Sequence, residues 1–185
     1  MSDTEKIFCI GFHKTGTTSV REALILLGYK YCFWRKLDWN PEPGDVPEAL
    51  LRQMSEYEAF ADGGCWYPGW FKRIDEEFKN SKFILTVRDE DEWFKSMIRF
   101  FGIGRQNMFP EIWNWIYGRD RIQLENKKDF LEAYRKHNNN VMSYFANSNN
   151  LLVINLADGN DNWIKICNFL KRNVPELRFP HANKS

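Results

Sequence analysis

The feature that most constrains the fold is an apolar run followed directly by a glycine-rich loop and an amphipathic segment. Residues 6–10, KIFCI, precede the loop GFHKTGTTS at 11–19, and the run VREALILLG comes next. The apolar spacing after the loop predicts a helix from Thr17 to Leu27, with Gly28 as its C-terminal stop. A buried strand, a short loop and a helix in this order begin a βαβ unit, so we expect a parallel sheet.

The rest of the chain repeats this alternation of short apolar runs and longer helical patterns. We therefore predict an α/β fold, a three-layer sandwich with a mainly parallel sheet, in a single domain over residues 1–185. The expected strands are 6–10, 29–33, 58–62, 82–88 and 151–156, and the expected helices are 17–27, 46–57, 67–80, 90–101, 129–145 and 161–170. The proline-rich stretch 34–47 is predicted to be a covering loop, and the aromatic stretch 104–121 is predicted to be irregular.

Composition and charge exclude several classes of protein. The net charge of +1 argues against a general nucleic-acid or membrane-surface binder. The four cysteines form no CxxC pair and the three histidines lack zinc-ligand spacing, so we expect reduced core thiols and no metal site. The polar N-terminus and the lack of a long apolar stretch favour a cytoplasmic protein. Aromatic residues make up 16% of the chain, which fits either an aromatic core or an aromatic-lined pocket.

The loop is suited to binding an anion. Gly11 and Gly16 have the spacing of a phosphate-binding P-loop, but Thr17 stands where that motif has lysine, and Lys14 lies inside the loop. Backbone N–H groups and the N-terminus of the following helix attract negative charge, and the threonine hydroxyls add donors. The displaced lysine indicates an anion other than a magnesium-bound triphosphate. The alternative is that the segment is only a glycine-rich connection between strand and helix and binds no ligand.

A second basic element follows the clearest buried strand. In FILTVRDEDEWFKS, Arg88 ends the strand and Ser96 lies eight residues on, within the next helix. Ligands of parallel sheets bind at the carboxyl ends of strands, so Arg88 is expected on the same rim as the loop. Its guanidinium suits a second phosphate, with the Ser96 hydroxyl beside it. The alternative is an arginine paired with one of the four acidic residues at 89–92.

These motifs together resemble the sulfotransferase family that uses 3′-phosphoadenosine 5′-phosphosulfate (PAPS). The similarity rests on KTGTTS after a strand, VR with a serine eight residues later, and the ending NWIKICNFLKRNVPELRFPHAN, and it spans nearly the whole chain. It implies a P-loop NTPase-like fold and metal-free in-line transfer of a sulfuryl group to an acceptor hydroxyl or amine. It also implies that Lys14, Thr15, Gly16, Thr17, Thr18 and Ser19 hold the 5′-phosphosulfate, and that Arg88 and Ser96 hold the 3′-phosphate.

The sequence offers two candidates for the group that deprotonates the acceptor. Asp62, at the end of AFAD, resembles the region that supplies the base in several relatives, although it can also be a turn or capping residue. His13 is the alternative, and His137 is predicted to be a surface residue. The acceptor is expected to be a small molecule or a glycan. The aromatic residues considered for its pocket, more often core and lid residues, are Trp34, Trp39, Trp66, Tyr67, Trp70, Trp113 and Trp115.

Two other functions remain open at this stage. A magnesium-dependent P-loop kinase of small metabolites would keep the loop but bind ATP, and the displaced lysine argues against it. A non-catalytic protein of the same fold would bind the product nucleotide, 3′-phosphoadenosine 5′-phosphate (PAP), without transferring sulfate. Neither the acceptor nor the oligomeric state can be read from the sequence.

Overall fold

The computed structural model describes residues 5–38, 40, 42–102, 110–159 and 161–182. Strands and helices alternate along the chain, and short 3₁₀ turns lie at residues 34–36, 63–66, 124–126 and 156–158. The elements in chain order are β1 Ile7–Cys9, α1 Thr17–Leu26, α2 Glu48–Met54, β2 Ala59–Phe60, α3 Trp70–Glu77, β3 Lys82–Val87, α4 Glu90–Phe101, α5 Pro110–Tyr117, α6 Lys127–Tyr144, β4 Leu151–Asn155 and α7 Asn162–Leu170.

The four strands form one sheet in the order β2-β1-β3-β4, and every pairing is parallel. Ile7 lies opposite Ala59 on one side and Lys82 on the other, which sets the register of the central strand. Parallel strands need crossover helices, and these cover both faces of the sheet. The prediction of an α/β fold with a parallel sheet is confirmed.

Alternate residues of the central strand face opposite layers of helices. Phe8 points into the cluster that contains residues of α2, α3 and α6, and its ring stacks 4.8 Å from Phe60 and 5.6 Å from Phe83. Ile7 and Cys9 point into the cluster formed with α1 and α7. Burying each such side chain contributes about 1.5–3 kcal/mol. This two-residue period produces the predicted three-layer sandwich.

A third cluster surrounds the loop after β1 and accounts for much of the aromatic content. Phe12 lies at its centre, fully buried, against rings from α4, α5 and α6 such as Trp93, Tyr117 and Tyr134. The aromatic set proposed for an acceptor pocket also packs mainly in the core, with Tyr67, Trp70 and Trp113 each at most 5% exposed. Trp39 lies outside the described residues.

Two predicted segments differ in the structure. Residues 29–33 make only one isolated bridge, between Tyr31 and Ala59, because the chain turns into a 3₁₀ helix at Trp34 immediately afterwards. Part of the stretch predicted to be irregular, 104–121, is the helix α5. Pro110 begins that helix and Gly118, with φ of 64°, follows its end, an arrangement that favours a helix. Residues 104–109 lie outside the described residues.

The prediction that His137 is a surface residue is wrong. His137 is 4% exposed, and its Nε2 lies 2.8 Å from the carbonyl oxygen of Ile10. It lies on the buried stripe of α6 that also includes Phe130, Tyr134 and Val141. The three- and four-residue spacing of this stripe is the sequence signal that identifies its inward position.

Two further observations concern the cysteines and the helices. The cysteines at 9, 32, 65 and 167 are unpaired and buried, as predicted. Within the described ranges, every helix is too short or too polar to cross a lipid bilayer.

Candidate active site

The loop between β1 and α1 lies against β3. A Cβ atom added at Gly11 would lie 2.0 Å from Thr86 Oγ1 and 2.6 Å from the Thr86 carbonyl oxygen, so only glycine allows this approach. The Thr15 hydroxyl bonds the carbonyl oxygen of Phe12 and lies 2.6 Å from Thr86 Oγ1. The Thr15 hydroxyl therefore holds the loop together and ties it to β3.

The loop leads directly into the N-terminus of α1. Lys14 and Gly16 both have left-handed backbone conformations, with φ of 66° and 100°. No described side chain caps α1, and its first turn contains no acidic residue. The first N–H groups of a helix attract anions through their partial positive charge, so this terminus is suited to bind one. The Lys14 ammonium lies 4.0 Å from the ring centre of Phe100 in α4.

A cavity of about 260 Å³ lies beside this helix end, at the carboxyl ends of β1, β2 and β3. The cavity brings together most of the site residues predicted from sequence. Its walls are formed by His13, Lys14, Gly16, Thr17, Thr18, Asp62, Arg88, Ser96, Phe100, Phe101 and Ala182. Of the predicted residues, Thr15 and Ser19 are not in these walls.

Arg88 follows the last residue of β3 and reaches toward the loop. Its Nη1 lies 3.5 Å from the Lys14 carbonyl oxygen, and its Nη2 lies 3.8 Å from Glu92 Oε2, both at the outer limit for such contacts. Its side chain is 29% exposed. Ser96, one helical turn beyond Glu92, is 5% exposed and lines the same cavity. Arg88 and Ser96 together suit a second phosphate group.

The acidic residues that follow Arg88 have nearer partners of their own. The Asp89 carboxylate accepts a hydrogen bond of 3.0 Å from the Glu92 N–H and caps α4. Glu90 binds Arg135, Asp91 binds Lys127 at 2.6 Å, and Glu92 binds Lys95 at 2.8 Å. The alternative in which Arg88 is held mainly by one of these carboxylates therefore has little support in the structure.

Asp62 faces the loop from the neighbouring strand. Its φ of 60° and ψ of −154° place it in a region that is almost exclusive to glycine. The Thr17 hydroxyl donates to Asp62 Oδ1, and Arg21 Nη1 lies 3.5 Å from Oδ2. Backbone strain of this kind clusters at functional sites, and here it accompanies a carboxylate directed at the first turn of α1.

His13, the alternative base, lies on the aromatic side of the cavity. Its Nε2 lies 3.0 Å from the Tyr117 hydroxyl, and its Nδ1 is buried without a partner in the described part of the chain. Burial, together with the nearby charges of Lys14 and His137, lowers the pKa of His13 to about 3. An imidazole with such a pKa is neutral at physiological pH but is a weak base.

The C-terminal segment closes one side of the cavity. The Ala182 N–H donates to Ser19 Oγ at 3.2 Å, so the hydroxyl predicted to touch the anion is bound to the chain's own C-terminal segment. Phe179 anchors this segment against Trp163 in α7, with ring centres 5.2 Å apart. Sequence reasoning missed Ala182 because an alanine near a chain end carries no chemical signal.

The walls also include two residues that were predicted only as part of a helix. Phe100 and Phe101 end α4 and border the cavity near Lys14. For Phe100 the available signal was its position four residues after Ser96, since residues four apart share a helix face. Where side chains are described, no group of three or more His, Cys, Asp or Glu residues is placed to hold a metal ion.

Comparison with known proteins agrees with this geometry. A family model described as a sulfotransferase domain matches residues 6–185. The chain is also similar to Ava biosynthesis cluster protein M of Aspergillus versicolor, with 23% identity over 214 aligned positions. That alignment covers 95% of this chain and 80% of the relative.

Proposed function

We propose that this chain, which belongs to the sulfotransferase domain family, transfers the sulfuryl group of PAPS to a hydroxyl or amine of an acceptor molecule. One observation carries the proposal. The loop residues Lys14, Thr17 and Thr18 line the same cavity as Arg88 and Ser96, although about seventy residues separate the two groups in the chain. PAPS carries a phosphosulfate on the 5′ side of its ribose and a phosphate on the 3′ side, so its binding needs two separate groups of anion-binding residues.

The residues present fit the donor. The N-terminus of α1, which no side chain of the described residues caps, has the Thr17 and Thr18 backbone at its start and is suited to the 5′-phosphosulfate. Among the described residues, the Arg88 guanidinium has only long contacts with protein oxygens, so its donors can turn to the 3′-phosphate, beside the Ser96 hydroxyl. PAPS, once bound, supplies an activated sulfuryl group, and the chain's own residues orient it and balance its charge.

Lys14 is proposed to stabilise the charge that develops as the sulfuryl group leaves the donor phosphate. Its ammonium lies over Phe100 on the cavity wall, within the reach of a flexible side chain from the loop centre. A positive group held beside developing negative charge is worth several kilocalories per mole in a site from which water is excluded. The proposed reaction assigns this role to a lysine and requires no metal ion.

Asp62 is proposed to be the general base. Its Oδ1 accepts a hydrogen bond from the Thr17 hydroxyl, which fixes the carboxylate beside the loop, while in the described part of the chain Oδ2 has only the longer contact with Arg21. Oδ2 is therefore the atom that would take the acceptor proton. His13 is the weaker candidate because its lowered pKa disfavours proton uptake.

The acceptor is proposed to be a small molecule rather than a glycan. The relative named above is called a biosynthesis cluster protein, which supports a small-molecule acceptor. Phe100 and Phe101 on the cavity wall provide an apolar surface for such a molecule.

Calorimetry with PAP, AMP and ATP, in the absence of magnesium, tests the donor assignment. We expect PAP to bind more tightly than AMP, and Arg88→Ala to weaken PAP binding about 10- to 100-fold with little effect on AMP. Arg73→Ala is the matched control, because Arg73 is 26% exposed and pairs only with Glu48 and Glu77 among the described residues. Equal binding of PAP and AMP to the unmodified protein would contradict the assignment.

Transfer of labelled sulfate from PAPS across a panel of small alcohols, phenols, amines and oligosaccharides tests the activity itself. Tight PAP binding without transfer to any acceptor would favour the non-catalytic alternative. Magnesium-dependent binding of ATP in preference to PAP would favour the kinase alternative.

A further inference from the structure

Tyr134, in α6, makes two hydrogen bonds to the backbone of a single residue. Its hydroxyl accepts from the Arg88 N–H at 2.9 Å and donates to the Arg88 carbonyl oxygen at 3.0 Å. The tyrosine is 2% exposed and is not in the cavity walls. It can therefore influence a ligand in the cavity only indirectly, through residues such as Arg88 that it holds.

Arg88 needs this support because the sheet ends just before it. The pairing of β3 with β4 ends at Val87 opposite Asn155, so Arg88 is the first residue beyond the ladder. A phenylalanine would pack in place of Tyr134 equally well but would leave the N–H and carbonyl of Arg88 without this partner. Only a protonated phenol can accept and donate at once, and burial raises the pKa of Tyr134, which keeps it protonated.

Trp93, in α4, fixes the other half of the site in the same way. Its indole N–H donates to the His13 carbonyl oxygen at 2.9 Å, at the residue before Lys14. Trp93 is fully buried, and its ring stacks on that of Tyr134 with centres 4.5 Å apart and planes 18° apart. The two aromatic residues therefore form one rigid unit. The Trp93 indole N–H holds the loop, and the Tyr134 hydroxyl holds the end of β3.

We propose that the stacked pair Tyr134–Trp93 is a positioning element that holds both Arg88 and the loop in place, and that Tyr134, by fixing Arg88, maintains the preference for a nucleotide with a 3′-phosphate. This inference rests on the proposed function, since it assumes that Arg88 binds the 3′-phosphate and the loop the 5′ group. Each residue has a distinct task. Tyr134 fixes Arg88, which is proposed to bind the 3′-phosphate. Trp93 fixes the loop, which is proposed to bind the 5′-phosphate that PAP and AMP have in common.

The different tasks predict different binding changes. Tyr134→Phe should weaken PAP binding about tenfold and change AMP binding less than about twofold, so that the preference for PAP falls. Tenfold corresponds to about 1.4 kcal/mol, the order of the entropy of fixing the backbone of one residue. Trp93→Phe should weaken PAP and AMP by similar factors of about tenfold and leave the preference between them intact.

Calorimetry on the full chain without magnesium measures both effects. The matched control is Tyr144→Phe, on the same helix, because Tyr144 donates to Asp75 at 3.0 Å and is remote from the cavity. It should change neither affinity, and thermal unfolding of each variant verifies the fold. If the unmodified protein prefers PAP and Tyr134→Phe retains the full preference, the inference is overturned. If the unmodified protein shows no preference for PAP, the proposed function fails instead.

Hydrogen exchange of the ligand-free protein gives a second readout that does not depend on activity, and its first measurement needs only the unmodified protein. The Arg88 amide should be protected in the unmodified protein, because its N–H is bonded to a buried hydroxyl. Tyr134→Phe should abolish that protection while β3 stays protected. Rapid exchange at Arg88 in the unmodified protein would refute the positioning role of Tyr134.

Discussion

Acid should destabilise this protein through His137. The imidazole Nε2 faces the Ile10 carbonyl oxygen, which can only accept, so Nε2 carries the proton and Nδ1 is bare. Nδ1 is buried without a partner in the described ranges, and the Phe12 ring stacks 4.4 Å from the imidazole centre. Protonation at Nδ1 would bury a charge in apolar surroundings. Burial accordingly lowers the pKa of His137 from 6.5 to about 4, although the bond to Ile10 opposes the shift.

The sign and size of the effect follow from linkage. Between about pH 6.5 and about pH 4 the unfolded chain binds a proton at His137 and the folded protein does not, so the free energy of unfolding falls as the pH falls. Lowering the pH from about 7 to about 5 covers roughly 1.5 units of this window, at about 1.4 kcal/mol per unit. His137 alone should therefore cost about 2 kcal/mol of stability, a substantial part of the total for a domain of this size.

Urea unfolding at the two pH values, with the unmodified protein and His137→Gln, isolates this contribution. Glutamine can donate to the Ile10 carbonyl oxygen but does not titrate, so the variant should lose about 2 kcal/mol less on acidification. Carboxylates and His13 act equally in both proteins and cancel in the difference. Losses that agree within about 0.5 kcal/mol, or an imidazole of His137 that titrates near its ordinary pKa by NMR, would refute the reasoning.

Two further predictions concern the site. Gly11→Ala should destabilise the protein by at least about 2 kcal/mol. The new methyl group would overlap both the side chain and the backbone of Thr86 and force β1 and β3 apart. A loss of less than about 1 kcal/mol in the free energy of unfolding, measured in urea, would argue against the contact. Asp62→Asn should lower kcat about 10²- to 10⁴-fold with PAP affinity unchanged, because the amide cannot accept a proton at neutral pH; a rate near that of the unmodified enzyme would direct attention to His13.

Much of the fold could be predicted because it depends on interactions between neighbours in sequence. The short apolar runs that form the buried strands β1 and β3, and the apolar stripe of α1, are visible directly in the sequence. The helix α5 was missed because its run IWNWIY has apolar residues on nearly all sides, so no period is apparent. Residues 29–33 were predicted to be a strand because their residue types favour one. The structure has only a bridge at Tyr31, and the partner strand β2 has only two residues.

The candidate site was predictable in part. Lys14 and Arg88 follow the first and third strands and were expected on one rim, and the structure brings both to one cavity. The tasks of Thr15 and Ser19 were not predictable, because a hydroxyl can bind an anion or the chain itself and only the fold decides which. In the structure Thr15 bonds Thr86, and Ser19 bonds Ala182, residues 71 and 163 positions away.

The sequence by itself determined the local elements: a strand, a left-handed loop that needs glycine at Gly16, and a helix whose first turn lacks acidic residues. These depend on backbone preferences and on contacts between residues a few positions apart. Only the tertiary structure decided that a strained Asp62 receives the Thr17 hydroxyl, and that Tyr134 holds Arg88 from 46 residues away. Such contacts depend on the strand order and on which helix covers which face. Short-range periodicity carries no information about either, because packing over the whole chain sets them.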